Sequence, residues 1–407
     1  MYDFDEIISR SNTHSSSEDG FKYSLFGDKV NEPLPYADDE LIRMWVADMG
    51  FATPDFVRDA VKERLDRKVM GYTDWMLTDE YFEVVKGWCK RRYDLDVKKE
   101  ELFVSAGVVP ALKSLVGMVG EKGDNVLILT PSYAPFKAAA DYNGLNAVYS
   151  RLVEKDNCYT IDFEDLQKKA EDENTHILIF CNPHNPTGRV WTKEELEKVG
   201  KICADNDMWI ISDEIHCDLL RCGKTHIPFM NVMPEYKKLV TCMAPSKTFN
   251  MAGFMTSNIL IRDEELKNKW KRTYSSNINP MSLAGATAAF SKGDEWLEAL
   301  KAYLDKNFAL AGKIFEEEAP KVKFEIPDAT YLAWADLSEY IPVETEANVP
   351  FVFAENGGVV IEYGKMFVDN GLGHVRINLA YPASVVAEGI SRVCKVLNMI
   401  EKGEIKL

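Results

Sequence analysis

The sequence has few features of a membrane-spanning, exported or metal-binding chain. None of its eight cysteines forms a C-x-x-C pair, which favours a reducing cytoplasm, and no metal site is predicted. No apolar run reaches the roughly 18 residues that a membrane-spanning helix requires. The first residues, MYDFDEIISR, are acidic and lack the basic start and apolar core of a signal peptide. We therefore expect a cytoplasmic protein that is not associated with a membrane.

The chain also has fewer basic than acidic residues. The chain has 48 Lys+Arg against 65 Asp+Glu, a formal net charge of -17. A protein that binds the nucleic-acid backbone needs a basic face, so no nucleic-acid partner is expected. Hydrophobic residues make up 46% of the chain and charged residues 28%, which is typical of a globular protein.

What the chain does have is length and an alternating pattern. Its 407 residues exceed the roughly 250–300 at which one core stops growing. In the middle, apolar runs such as NVLILT (125–130) and HILIF (176–180) alternate with amphipathic stretches, which predicts a mainly parallel sheet covered on both faces. We assign residues 56–290 to a large α/β domain and residues 291–407 to a smaller α+β domain. Residues 1–55 form an N-terminal arm and part of the small domain.

Charged side chains follow two of the predicted strands. WIISDEIHCDL (209–219) puts Asp213 and Glu214 directly after an apolar strand, and MAPSKTFNMAG (243–253) puts Lys247 after another. A carboxylate there needs a partner, which is either a nearby Arg or Lys or a cationic ring nitrogen. Ligands of open α/β sheets bind at the carboxyl ends of the strands. A lysine at that edge can form a Schiff base with an aldehyde cofactor.

Three further segments add polar or aromatic groups after predicted strands. VSAGVVPALKSLVGMVG leaves backbone N–H groups near Gly107, Val108 and Val109, which suit a phosphate but also occur at any helix start. TPSYAPF puts Tyr133 in a turn, where it is either core or a platform for a ring. CNPHNPTGRVWT offers the side-chain amide of Asn185 in an irregular loop.

The chain resembles the fold-type-I pyridoxal-5′-phosphate (PLP) enzymes in an ordered set of segments: SAGVVP, PSYAPF, CNPHNPTGRVWT, SDEIHCDL, APSKTFNMAG and HVRINLAYP. With MWVADMGFATP and GYTDW added, it closely resembles the MalY/PatB-type cystathionine β-lyases, also called C–S lyases. The resemblance runs from about residue 22 to the C-terminus. It implies an α/β fold of the PLP-transferase (aspartate aminotransferase-like) type, PLP as cofactor, and a homodimer with a shared active site.

The resemblance implies roles around the cofactor ring. Lys247 would carry PLP, and Asp213 would hold the pyridine nitrogen protonated. Asn185 would bond the ring hydroxyl and contact the substrate. Tyr133 would stack on the ring and, with Lys247 and Asp213, complete the catalytic group. His216 stands where many aminotransferases have a tyrosine, and from the residues alone a structural hydrogen-bonding role is favoured over that of a base.

It also implies the contacts at the two ends of the bound molecules. Ser246 and the amides of residues 107–109 would bind the phosphate, and Tyr72 would reach the phosphate of the neighbouring subunit. Arg376 would grip the substrate carboxylate, since its planar fork suits bidentate binding, and Trp45 would contact the substrate. The alternative for Arg376 is a surface arginine at a strand edge.

The activity implied is β-elimination from an amino-acid substrate, either cystathionine or another cysteine S-conjugate. The products are a thiol, pyruvate and ammonia. Two alternatives stay open. One is a PLP-dependent aminotransferase of the same fold, and the other is a lyase with an added regulatory binding role, as known for MalY-type members.

Two positions depart from the family pattern. Gly50, in ADMGF, stands where the family usually has an acidic residue, and Val368, in YGKMFVDN, stands where a glycine is usual. We expect both near the substrate entrance, and we interpret Gly50 as the loss of a charge that would meet the distal ammonium of cystathionine.

Overall fold

The computed structural model of the protein describes residues 2–73, 78–273 and 278–407. Strands and helices alternate through the middle of the chain, as the apolar and amphipathic runs predict. Among the described residues, no helix combines the length and the apolar character that crossing a bilayer takes.

The strands of the described residues are β1 (Ile42–Arg43), β2 (Leu102–Ser105), β3 (Asn125–Thr130), β4 (Asn146–Arg151), β5 (Val153–Lys155), β6 (Cys158–Thr160), β7 (Thr175–Cys181), β8 (Trp209–Asp213), β9 (Leu239–Met243), β10 (Ser257–Ile261), β11 (Leu332–Asp336), β12 (Val359–Val360), β13 (Glu362–Tyr363) and β14 (His374–Asn378).

The α-helices of the same residues are α1 (Ser16–Asp19), α2 (Phe21–Leu25), α3 (Asp55–Asp66), α4 (Asp79–Tyr93), α5 (Val108–Val119), α6 (Ala134–Tyr142), α7 (Phe163–Ala170), α8 (Lys193–Asp205), α9 (Phe229–Val232), α10 (Pro245–Thr248), α11 (Glu264–Thr273), α12 (Pro280–Lys292), α13 (Asp294–Glu318), α14 (Val349–Gly357) and α15 (Ala383–Glu401). Short 3-10 helices occupy Gly27–Lys29, Asp38–Glu40, Lys99–Glu101, Ala252–Phe254 and Gly364–Met366.

A seven-stranded sheet, in the order β2-β10-β9-β8-β7-β3-β4, forms the centre of the described fold. β10 runs antiparallel to both of its neighbours, and the other strands run parallel to one another. This confirms the mainly parallel sheet predicted from the apolar runs.

The strands of this sheet are apolar on both faces because both faces are buried. Successive residues of β3 show this directly, since Val126 and Ile128 lie in one hydrophobic cluster, while Leu127 and Leu129 lie in another. One cluster contains residues of α5 and α6, and the other contains residues of α4 and α8. The continuous hydrophobic runs therefore follow from burial between two helical layers.

Helix α8 shows how local sequence sets the ends of these covering helices. Its N-cap Thr192 accepts a hydrogen bond from the Glu195 amide at 3.2 Å, and the Glu195 carboxylate accepts one from the Thr192 amide at 2.8 Å. This reciprocal pair is a capping box. Beyond it, apolar residues recur at helical spacing, and Leu196 and Val199 are fully buried against the sheet side.

The strand pairing brings the ends of β7, β8 and β9 side by side. Asp213, the last residue of β8, is in register with Cys181 on β7 and with Cys242 on β9. The chain after β9 enters α10 at once, so Lys247 follows the strand by four residues. Carboxyl ends of parallel strands share one edge of a sheet, and this edge carries the predicted site residues.

The C-terminal part contains a three-stranded antiparallel sheet in the order β11-β14-β13. Helices α13 and α15 pack together beside it. β1, from the N-terminal region, pairs in parallel with β12, so residues Ile42 and Arg43 lie against Val359 and Val360. The domain boundaries at 55/56 and 290/291 stay a prediction.

Candidate active site

A cavity of about 350 Å³ opens at the carboxyl edge of the large sheet. The predicted site residues that line it are Trp45, Gly107, Val108, Val109, Tyr133, Asn185, Asp213, His216, Ser246, Lys247 and Arg376. The large sheet and its helices supply most of them, and Arg376 comes from β14 of the C-terminal sheet. The cavity therefore lies between parts of the chain that are far apart in sequence.

One wall is the N-terminus of α5. Gly107 is the N-cap, and its φ of 143° is a conformation that residues with a side chain rarely adopt. The amides of Val108 and Val109 begin the helix and lack acceptors within it. These N–H groups and the helix dipole make this wall suitable for an anion.

Asp213 brings a buried carboxylate to the cavity. Its Oδ1 accepts a hydrogen bond from the Ile215 amide at 3.1 Å. Within the described residues, no Lys or Arg nitrogen lies within ion-pair distance of it, so the ion-pair alternative finds no support. Burial raises the pKa of Asp213 to about 7, and the neighbouring carboxylate of Glu214 adds to the rise.

Glu214 turns away from this cavity into the core. Its carboxylate accepts from the Ser212 hydroxyl at 2.8 Å and from the Phe229 amide at 3.1 Å, and it lies 2.7 Å from Nε2 of His226. Adjacent residues of a strand point to opposite faces, so only one of the two acids can reach the cavity. Asp213 is that residue.

Lys247 lies in α10 and is held by a backbone carbonyl. Its Nζ donates to the Ala47 oxygen at 2.7 Å, and the Tyr331 hydroxyl donates to the same oxygen at 3.0 Å. Burial lowers the pKa of Lys247 to about 8, partly offset by the nearby carboxylate of Asp48. An amine with this pKa is partly neutral near pH 7–8, which a nucleophile or a base requires.

His216 and Tyr133 add rings to the cavity. His216 is buried, and its Nδ1 has no hydrogen-bond partner in the part of the chain that the structure describes, so that nitrogen does not serve the structural role predicted for this histidine. Burial lowers the pKa of His216 to about 3, with the positive charges of Lys247 and Arg376 acting in the same direction. Tyr133 is the N-cap of α6 and meets Phe136 edge to face at 5.9 Å between ring centroids.

Arg376 is buried, with only 4% of its side chain exposed, so the surface-arginine alternative is wrong. Its Nη1 donates to Oδ1 of Asn185 at 3.1 Å, and its Nη2 donates to the Trp45 carbonyl at 3.4 Å. Nη2 also forms an ion pair with Glu362. The bond to Oδ1 leaves the amide nitrogen of Asn185 as the donor that remains for a ligand.

Glu362 is a cavity residue that the sequence analysis missed. It lines the site beside Arg376, in the segment GGVVIEYG. The available signal was a single acid directly after an apolar run, in a segment predicted only as a strand. Pairing with Arg376 requires β13 to lie beside β14, and no local pattern gives that partner.

Tyr72, Gly50 and Val368 are not among the residues that line the cavity. Tyr72 does not line the cavity and is 97% exposed in the single chain, and residues 74–75 of its motif GYTDW fall outside the described residues. Gly50 is buried and does not line the cavity, although Ala47 of the same segment does. A Cβ at Gly50 would overlap the Tyr381 ring, so the interpretation of Gly50 as a lost charge finds no support. Val368 is also buried away from the lining, with its amide bonded to the Ser132 oxygen at 2.9 Å.

The chain is similar in sequence and in structure to known proteins. Cystathionine β-lyase PatB of Bacillus subtilis is 37% identical over 380 residues, covering 92% of this chain and 97% of PatB. Protein MalY of Escherichia coli is 28% identical over 406 residues, covering 98% and 100%. The crystal structure of the PLP-bound C–S lyase from Staphylococcus hominis is 46% identical with a TM-score of 0.92, covering 98% of each chain.

Fold and site together define an α/β protein with the aminotransferase-like fold of PLP-dependent enzymes. The sequence family described as aminotransferase class I and II matches residues 40–394. The chain belongs to this aminotransferase class I and II family.

Proposed function

We propose that this protein is a PLP-dependent carbon–sulfur β-lyase that cleaves cystathionine or other cysteine S-conjugates. The observation that carries the proposal is the meeting, in one cavity, of Lys247, the unpaired carboxylate of Asp213 and the amide-rich start of α5. The similarity to PatB and to the Staphylococcus hominis C–S lyase supports the lyase branch of the family.

The residues of the cavity fit PLP. The N-terminus of α5 and the Ser246 hydroxyl would hold the phosphate, since both present donors and the helix dipole favours an anion. Asp213 would face the ring nitrogen: it is a buried carboxylate that lacks a cation, which a protonated pyridine supplies. Asn185 would donate its amide to the ring oxygen, and Tyr133 would cover a face of the ring.

PLP, when bound, supplies an aldehyde that condenses with amines and a ring that accepts the electron pair of a broken Cα–H bond. Lys247 would hold the cofactor, and its Nζ would take the α-proton of the bound substrate. Asp213 keeps a proton on the ring nitrogen while negative charge develops. Arg376 fixes the substrate through its α-carboxylate.

The rest of the reaction follows from the substrate. The electron pair of the Cα–H bond forms a Cα=Cβ bond, and the Cβ–S bond breaks so that the sulfur leaves as a thiolate. Water then converts the remaining three-carbon fragment to pyruvate and ammonia. Burial lowers the pKa of His216 to about 3, so this ring would stay neutral beside the cofactor.

The test is pyruvate release from S-methyl-L-cysteine and from cystathionine, with no 2-oxo acid added. A lyase releases pyruvate from both under these conditions. If no pyruvate forms, and added 2-oxo acids are aminated instead, the protein is an aminotransferase and the lyase proposal fails.

We also propose a homodimer in which Tyr72 completes the partner's site, and a cytoplasmic location. The exposure of Tyr72, together with the exposed side chains of Val69 and Met70 beside it, supports a covered surface in the dimer. All eight cysteines are free thiols, which supports a reducing compartment.

A further inference from the structure

Glu362 and Arg376 form a buried ion pair inside the active-site cavity. They are opposite one another on the antiparallel strands β13 and β14, so the sheet register sets their distance. Only 4% of the Arg376 side chain and 12% of the Glu362 side chain are exposed, and both residues line the cavity. The arginine assigned to the substrate carboxylate is therefore already paired with a carboxylate of the protein.

The guanidinium of Arg376 has contacts other than the one with Glu362. Asn185 accepts from Nη1, the Trp45 carbonyl accepts from Nη2, and the Phe367 ring lies 5.0 Å from the guanidinium carbon. These contacts come from three separate segments of the chain. Glu362 is thus one of several groups that hold Arg376, and its carboxylate occupies one side of the guanidinium inside the cavity.

We propose that Glu362 competes with the α-carboxylate of the substrate for Arg376, and thereby lowers the affinity of the site for the substrate. The proposal rests on the proposed function, in which Arg376 anchors that carboxylate. When the substrate binds, two carboxylates meet at one guanidinium in a site largely closed to water, where like charges repel strongly.

The variant that tests this is Glu362→Gln, which keeps the shape and an oxygen for Arg376 but removes the charge. Glu355→Gln makes the same chemical change at an exposed position on α14 and is the matched control. The ligands are L-alanine, which has the α-carboxylate but no leaving group, and L-alaninamide, which lacks the carboxylate. Their dissociation constants are measured on the PLP-loaded enzyme by calorimetry and by the change in cofactor absorbance.

We expect Glu362→Gln to bind L-alanine about tenfold more tightly than the wild type, a difference of about 1.4 kcal/mol. L-Alaninamide should bind the two proteins equally, and Glu355→Gln should match the wild type with both ligands. Unchanged or weaker binding of L-alanine by Glu362→Gln overturns the competition.

The failure of the two proposals is distinguishable. If neither the wild type nor Glu362→Gln binds L-alanine better than L-alaninamide, Arg376 is not the carboxylate anchor, and both that assignment and the competition are wrong. If the wild type binds L-alanine more tightly than L-alaninamide, but Glu362→Gln binds L-alanine no more tightly than the wild type, only the competition is wrong.

Should Glu362→Gln fail to fold, as judged by circular dichroism, Glu362→Asp replaces it. Its carboxylate retreats from Arg376 by one methylene, because the strand register fixes the backbone. A smaller gain in affinity for L-alanine is then expected, and no gain overturns the proposal.

Discussion

At the scale of single residues, burial shifts three titratable groups of the cavity towards their neutral forms. It raises the pKa of Asp213 to about 7 and lowers those of Lys247 and His216 to about 8 and about 3. The common cause is desolvation, which penalises whichever form carries the charge. A bound cationic ring would reverse the shift of Asp213, because an opposite charge nearby favours the carboxylate.

The first prediction concerns the pH dependence of PLP capture by the apoprotein. The pKa of Lys247 is lowered to about 8, so its reactive neutral form increases up to that pH and then levels off. The second-order rate of covalent capture, followed by absorbance and borohydride trapping, should rise roughly tenfold per pH unit below 8 and flatten above about 9. A rate that still climbs beyond pH 10, as with α-N-acetyllysine in solution, would show an ordinary lysine.

The second prediction concerns Asp213→Asn. The amide carries no charge to keep the ring nitrogen protonated, and this charge matters most as the α-proton leaves. We expect kcat for pyruvate release to fall about 100-fold or more, with a much smaller change in KM. Asp141→Asn, on the exposed side of α6, is the control. A near-normal kcat with only a raised KM would contradict the assigned role.

At the scale of elements, the sequence predicts what depends on one strand and the turn that follows it. Apolar runs locate β3 and β7 to β10, and parallel strands place their carboxyl ends together, so Asp213 and Lys247 are brought to one edge. The sequence does not predict Glu362 as a site residue, because its partner Arg376 is brought beside it by the pairing of β13 with β14. The interpretation of Gly50 as a lost charge fails because the packing of the Tyr381 ring, which the local sequence does not show, decides which side chain fits at this position.

The third prediction concerns the start of α5. Gly107 has a φ of 143°, so Gly107→Ala strains the backbone directly before the amides of Val108 and Val109. We expect the apoprotein to lose about 1–3 kcal/mol of unfolding free energy in urea. Gly253→Ala is the control, since a Cβ there meets nothing within 4 Å and its φ is not in the left-handed region. Equal stability of the two variants would mean that the turn relaxes without cost.

At the scale of the whole molecule, the cavity is assembled from distant parts of one chain, and the proposed dimer adds a residue from a second. Trp45, Lys247 and Arg376 come from the N-terminal region, the large sheet and the C-terminal sheet. Tyr72 is not one of these lining residues: it is 97% exposed and does not reach the cavity of its own chain. In the proposed dimer, this exposed side chain would reach the site of the partner.

The fourth prediction tests this by mixing two inactive homodimers, Tyr72→Ala and Lys247→Ala, under conditions of subunit exchange. In a mixed dimer, the site that keeps Lys247 receives an intact Tyr72 from the other subunit, and the second site lacks both. Random exchange makes half of the dimers mixed, so pyruvate release should recover to about a quarter of the wild-type rate. Exchange is measured independently with two affinity tags. Complete exchange without recovery would place the action of Tyr72 within its own subunit, because no mixed dimer would then hold an intact site.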